Sequence, residues 1–374
     1  MAEIDTLNYD VLIKIFSYLN IYDRQRMGLA VCKKWQNIHN IMLRSIHKMR
    51  VDLTDDVRCR RVVRHHQNVL EILTNNLADI EKPLEKLASN LNKIDIEDKT
   101  QHGISSDVYK LLSNCTELKY IRLCCRRSQS VKEFLKFLPT DNLEHLLIQL
   151  PRTYEDDQPH LNHLMKTALA KTSKLKTLEL CDVPISELSS IGRPGTLKEL
   201  YIKADRLPLL NFNMKNLQNL ETLIIICYLV DNFTITELMR NCRKLHSFAI
   251  RTKDILPETT LNEMMSLPNL RRLHLLSENN SYQSWHKFSN LEDIAIIYQE
   301  PVSVTRDQII SFLQRSKNLK TYSIHCNKEC TALNEFFCEV ASDIGHECKR
   351  HYITPWDRSG NIETVRVFGI DRLF

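Results

Sequence analysis

The side chains best suited to chemistry gather near the end of the chain. His346 and His351 flank Glu347, close to the His-Glu-x-x-His arrangement in which two histidines four apart on a helix hold a metal and the glutamate acts as base. Here the histidines are five apart. On a helix that turns the second about 140° from the first, so the two cannot share an ion on one face. Cys326, Cys330, Cys338 and Cys348, with His325 and His346, make the same stretch rich in potential ligands. Their spacing matches no zinc ribbon or finger, so reduced cysteines packed among the last elements are expected, with no metal. Arg58, Arg60, Arg61 and Arg64 precede His65 and His66; this reads as a basic helical run on a solvated face. There is no G-x-x-x-x-G-K-[ST] loop and no G-x-S-x-G elbow, and no cysteine sits in a recognisable nucleophile setting. The expectation is a protein without catalysis or cofactor.

Composition supports that expectation. Of 374 residues, 43% are apolar and 26% charged, the profile of an ordinary globular chain. Only seven glycines are present, which argues against folds built on Gly-rich phosphate loops. A formal charge of +5 is too small to demand nucleic acid or an acidic membrane as partner. The start of the chain reads as no signal peptide and no stretch is apolar for a membrane span. The twelve cysteines are therefore expected as thiols, in the cytoplasm or the nucleus.

The elements that must position any binding residue repeat. The pattern apolar-x-x-apolar-x-apolar occurs at Leu91/Ile94/Ile96, Leu118/Ile121/Leu123, Leu143/Leu146/Ile148, Leu175/Leu178/Leu180 and Leu197/Leu200/Ile202. It continues at Leu220/Leu223/Ile225, Leu245/Phe248/Ile250, Leu270/Leu273/Leu275, Leu291/Ile294/Ile296 and Leu319/Tyr322/Ile324, with a possible last copy at Ile362/Val365/Val367. The mean step of about 25 residues matches leucine-rich repeats. Asparagine often precedes the motif, at Asn90, Asn142, Asn219, Asn269, Asn290 and Asn318. Each x-apolar-x-apolar piece predicts a short strand with one buried face, and stretches such as Val131–Leu138 and Ile309–Leu313 predict helices between strands. The fold class expected is α/β: a leucine-rich-repeat solenoid with a concave parallel sheet and convex helices, behind a three-helix N-terminal module. A conventional α/β domain would need looser spacing and Gly-rich turns.

That N-terminal module carries the functional signal. Leu12, Ile15, Phe16 and Leu19 form one apolar helical stripe, with Asn8 or Thr6 as cap and Asp10 in the first turn. A second short helix is expected through Arg26, Met27, Leu29 and Ala30, and a third through Trp35, Ile38, Met42 and Ile46. About 45 residues in three helices bury little surface alone and gain from a partner. Leu7-Asn8-Tyr9-Asp10-Val11-Leu12, Ile15-Phe16-Ser17-Tyr18-Leu19, Asp23 and Val31-Cys32-Lys33-Lys34-Trp35 resemble the F-box motif, with Asn8 where the family has proline. With the repeats behind it, the whole chain resembles the F-box leucine-rich-repeat family. The resemblance implies a substrate-recognition subunit of an SCF-type cullin ubiquitin ligase. In it the F-box docks onto a Skp-family linker protein, which bridges to a cullin-RING scaffold, and the repeats hold a protein substrate for ubiquitination. Carried onto this chain, the docking residues are Leu7, Leu12, Ile15, Phe16 and Leu19, with Cys32 and Trp35 tying the helices together.

The expected layout is an F-box at 1–47, a helical linker and cap at 48–90, repeats at 91–325 and a C-terminal cap or irregular repeat at 326–374. Residues flanking the central apolar position of each strand point to the concave face. On it Tyr201, Ile224 and Ala249 offer aromatic and apolar surface, and Arg271, Arg272 and His274 add basic groups, a composition typical of interface hot spots. The alternatives are a repeat scaffold with no ligase role, or repeats that bind RNA or an inositol phosphate through the arginines.

Overall fold

A computed structural model of the chain describes residues 7–19, 23, 33–55, 62–66, 69–150, 158–183, 196–207, 214–277, 284–298, 305–326, 330–347, 349–350, 364–367 and 370–373. It comprises two compact units, Met1–Leu175 and Lys176–Phe374; the boundary falls inside the expected 91–325 repeat domain.

The first unit opens with two helices, α1 (Tyr9–Ser17) and α2 (Lys33–Arg44). Asn8 caps α1, its side-chain oxygen accepting from the Asp10 N–H at 3.4 Å. Leu12 and Phe16, four apart on one face, pack on Trp35, Ile38 and Met42 of α2, and the Phe16 and Trp35 rings meet edge to face at 4.9 Å. The expected helix between them lies outside the described residues.

Strands β1 (Lys48–Leu53), β2 (Val62–His66), β3 (Val69–Thr74), β4 (Lys93–Asp98), β5 (Tyr120–Cys125) and β6 (His145–Gln149) form the unit's sheet in the order β2-β3-β1-β4-β5-β6. All neighbours pair parallel except β2 on β3. Register stacks like on like: Met49, Ile94, Ile121 and Leu146 form one buried row, and Val51, Ile96, Leu123 and Ile148 the next. Helices α3 (Ala78–Leu87), α4 (Ser106–Leu112), α5 (Ser128–Lys136) and α6 (Gln158–Lys171) follow successive strands, burying Leu84, Tyr109, Phe134 and Leu169. Two expectations are corrected here. The expected helical linker and cap at 48–90 holds three strands besides helix α3: Met49, Val51 and Leu53 alternate with polar residues at period 2, so they form β1. His65 and His66 lie on strand β2, not on a helix, because Val62–His66 pairs antiparallel with β3.

The second unit carries β7 (Thr177–Cys181), β8 (Glu199–Leu207), β9 (Thr222–Val230), β10 (Ser247–Thr252), β11 (Arg272–Ser277), β12 (Asp293–Tyr298), β13 (Thr321–Cys326) and β14 (Lys349–Arg350), all parallel and in chain order. Leu178, Leu200, Leu223, Phe248, Leu273, Ile294 and Tyr322 form its central buried row. Connections run through α7 (Asn232–Asn241), α8 (Glu258–Met265), α9 (Arg306–Arg315) and α10 (Cys330–Asp343), and through 3-10 turns at Met214–Leu217 and Trp285–Lys287. Trp285, Phe312, Phe337 and Tyr322 pack ring against ring at this end, with centroids 5.0 Å apart for Trp285–Phe312 and 4.5 Å for Tyr322–Phe337.

The repeat is also written in the backbone. In the second unit the Lys198 carbonyl accepts from the N–H groups of Glu221 and Thr222, that of Glu221 from His246 and Ser247, and that of His246 from Arg271 and Arg272. In the first, the Asn92 carbonyl accepts from Lys119 and Tyr120, and that of Lys119 from Glu144 and His145. The asparagines before the motif brace the same steps: Asn142 donates to the Thr116 carbonyl at 2.8 Å and Asn269 to that of Arg243 at 3.3 Å. This satisfies polar groups at the turn that helix and sheet would leave open. The possible last copy is not a repeat strand, since β15 (Thr364–Val367) pairs antiparallel with β16 (Ile370–Leu373); Ile362 lies outside the described residues.

Candidate functional site

The first candidate surface is on the helical pair. Among the described residues nine large apolar side chains are exposed, and Tyr9, Val11, Ile15, Tyr18 and Ile41 all belong to this pair or its edge. Val11, Ile15 and Tyr18 stand at i, i+4 and i+7, one stripe of α1, at 45%, 39% and 80% exposure. Of the expected docking residues, Leu12 and Phe16 are fully buried in the pair's own core. Leu7 is half-buried against it, its carbonyl held by Lys34 Nζ at 2.6 Å, and Leu19 is half-buried. Only Ile15 of the five is exposed. Of the sequence stripe, Leu12 and Phe16 enter the core of the pair, whereas Ile15 belongs to an outward stripe with Val11 and Tyr18. Cys32 lies outside the described residues. Trp35 does tie the helices together, as its packing on Phe16 shows.

A smaller exposed group, Leu229, Phe233 and Ile255, sits where β9 ends and α7 begins. Asn232 holds it by donating to the Ile255 carbonyl at 3.3 Å.

The expected substrate row lies in the second unit. Tyr201, Ile224, Ala249 and His274 are register neighbours on β8 to β11, as expected, but their exposures are only 2%, 2%, 2% and 0%. They do not present the open surface expected of them. Cys181, Tyr201, Ile224, Ile226 and Ala249 form a buried apolar cluster, and Tyr201 and His274 each bond to a neighbouring carboxylate. The Tyr201 hydroxyl donates to the Glu199 carboxylate at 3.3 Å, and His274 Nε2 donates to that of Asp293 at 3.0 Å. Arg271 and Arg272 are half-buried, and the Arg271 guanidinium donates to its own backbone at Leu270, 3.2 Å away. The signal was legible: Leu223-Ile-Ile-Ile-Cys227 is apolar on both faces, the mark of a strand buried on both sides.

Strands β1, β3, β4 and β5 of the first unit alternate instead, whereas β6 buries Leu146, Leu147 and Ile148 together. Lys93-Ile-Asp-Ile-Glu97 and Tyr120-Ile-Arg-Leu-Cys124 bury one set and leave the other half-exposed. Across this open face Lys48, Lys93, Tyr120 and His145 share one register row, followed by a row holding Arg50, Asp95 and Arg122. Lys93 Nζ lies 3.9 Å from the Tyr120 ring centroid, and the Tyr120 and His145 rings are 4.4 Å apart at 31°. Arg122 pairs with Asp95 at 2.9 Å. At the other end of the strands Lys99 bridges Asp52 and Glu97 at 3.4 and 3.0 Å. Burial lowers the Lys93 pKa below the usual lysine value; Asp95 opposes this, while Lys48 and Arg122 add to the lowering.

Burial pushes the thiols of Cys115, Cys227 and Cys242 up to about 12 and that of Cys124 to about 11, which suppresses the reactive thiolate. Of the Cys/His-rich stretch, Cys338 contacts the Tyr322 hydroxyl and His346 Nε2 donates to the Leu319 carbonyl at 3.3 Å. No group of three metal-ligating side chains occurs among the described residues, and no helix there is long and apolar enough to cross a membrane.

Strand, turn and helix repeated in register, with the asparagine brace, make a parallel-sheet repeat architecture that fits the leucine-rich-repeat pattern. No family model matches the chain, and no curated protein matches it in sequence. Among solved structures it is similar to an internalin from Listeria monocytogenes, at 12% identity over 85% of each chain and a TM-score of 0.39. The repeat assignment rests on the register of this chain's own strands.

Proposed function

We propose that this chain is the substrate-recruiting adaptor of an SCF-type ubiquitin ligase: its N-terminal helices dock onto a Skp-family linker, and its repeats hold the protein to be modified. The observation that carries this reading is the clustering of exposed apolar side chains on the helical pair. Solvated helices seldom carry such a stripe without a partner to cover it. The F-box-like order of residues 7–35 and the repeats behind it support the same assignment. The adaptor does no bond chemistry; it raises the local concentration of its target beside the ubiquitin-charged enzyme. The docking set in this proposal is Val11, Ile15 and Tyr18 with Ile41, and Leu12 and Phe16 shape the helices that present it.

Affinity capture of the full chain, read by mass spectrometry, tests this. The wild type is expected to recover the linker and a cullin, and a Val11→Asp/Ile15→Asp variant to lose both while keeping its other partners. Recovery of the same proteins by wild type and variant, with no ligase subunit among them, would leave a repeat scaffold without a ligase role.

A further inference from the structure

The geometry points to the open sheet face of the first unit as the seat of an acidic, extended peptide segment of the protein target, lying across the strands over Lys48, Lys93, Tyr120 and His145. This deepens the adaptor reading and rests on it.

Three observations carry the inference. The four side chains share one register row that contains two lysines and no carboxylate. Asp95, in the following row, is paired with Arg122 and also acts on Lys93, so one shared carboxylate leaves the lysine row with an excess of positive charge. The Lys93 ammonium lies over the face of the Tyr120 ring, and that ring tilts against the His145 ring, a cation–aromatic ladder of the kind that recognises carboxylates beside flat apolar surface at little cost in side-chain entropy.

The spacing fits one kind of occupant. Neighbouring strands lie about 4.8 Å apart, so the three steps from β1 to β6 span about 14 Å. An extended peptide places alternate side chains about 6.8 Å apart, so residues i, i+2 and i+4 cover the same span. Carboxylates at the first two of these positions would face Lys48 and Lys93, and the third side chain would lie over the Tyr120 and His145 rings. The far end of the strands, where Asp52 and Glu97 stand, repels such a segment and fixes it to the lysine row.

The test uses the full chain and a fluorescein-labelled peptide of alternating glutamate and serine, followed by anisotropy at low salt, with a lysine–serine peptide and an oligo-uridine RNA as comparators. The glutamate peptide should bind, and added salt should weaken it. Lys48→Glu/Lys93→Glu and Tyr120→Ala should each weaken binding by about tenfold or more, with unchanged thermal unfolding. Lys86→Glu, on the exposed side of α3, should leave it unaltered. Equal binding by the charge-reversed variant overturns the proposal. So does tighter binding of the lysine peptide or of RNA, or binding of none of the probes. Linker binding by the same preparations separates the two readings. If the wild type binds the linker and its peptide binding ignores the reversal, the peptide seat alone fails. If peptide binding behaves as expected and no preparation binds the linker, the adaptor reading alone fails.

Discussion

Replacing Val11 and Ile15 together by aspartate separates docking from folding, and its magnitude follows from exposure. Fully burying a valine or isoleucine side chain is worth about 1.5–3 kcal/mol. Val11 is 45% exposed and Ile15 39%, so covering what remains of both yields about 1.3–2.5 kcal/mol. Losing that contact alone weakens linker binding about tenfold to seventyfold, and an unpaired carboxylate pressed into the apolar contact weakens it further. Folding should hardly change, because substitutions at exposed positions of this kind stay within about 0.5 kcal/mol. Phe16→Ala does the reverse. Its side chain is fully buried against Trp35, and truncation should cost about 3–5 kcal/mol of stability. Titration calorimetry of the full chain with purified linker, paired with thermal denaturation, reads both quantities. Wild-type affinity in the double-aspartate variant, or a melting loss as large as that of Phe16→Ala, would refute the division of α1 into an inward and an outward stripe.

Two further predictions concern the scaffold. Gly103 adopts φ +77° and an added Cβ would lie 2.5 Å from Ser130 Oγ, whose hydroxyl donates to the buried Asp98; Gly103→Ala should therefore cost about 1–3 kcal/mol, and urea denaturation should show Gly345→Ala, with a similar φ but open space around it, to be milder. Among the described cysteines, iodoacetamide mapping at neutral pH should modify exposed Cys338 well before Cys115, Cys227 and Cys242. Their thiols are raised by burial to about 12, so the unfolded chain releases those protons first; their stabilisation is whole below about pH 9 and is lost as pH climbs toward 12, visible as a falling melting temperature.

The repeats were legible because leucine-type residues recur at fixed spacing, and the register of Leu178 through Tyr322 realises that spacing row by row. The asparagines at 142 and 269 were visible as a pattern, and their structural meaning, a bond to the preceding turn, needed coordinates. The strand at Met49–Leu53 was missed because it lies 45 residues before its register partner Ile94, with β2 and β3 in the intervening sequence, so the repeat step was hidden. The two surfaces were harder. A helical stripe shows which residues are apolar, and it does not show which of them a neighbouring helix has already taken; α2 takes Leu12 and Phe16 and leaves Ile15. On the sheets, flanking residues of every strand were expected to face outward alike. The apolar run in β9 and the alternation in β4 and β5 distinguish a doubly buried strand from a half-solvated one.

The most direct measurement is the mass, by size-exclusion chromatography with light scattering, of the full chain mixed with purified Skp-family linker at about 10 μM each, where a micromolar complex is mostly formed. A single peak at the summed mass of one chain and one linker is expected for the wild type, resolving into two peaks for Val11→Asp/Ile15→Asp. Two separate peaks for a correctly folded wild-type chain would contradict the adaptor assignment.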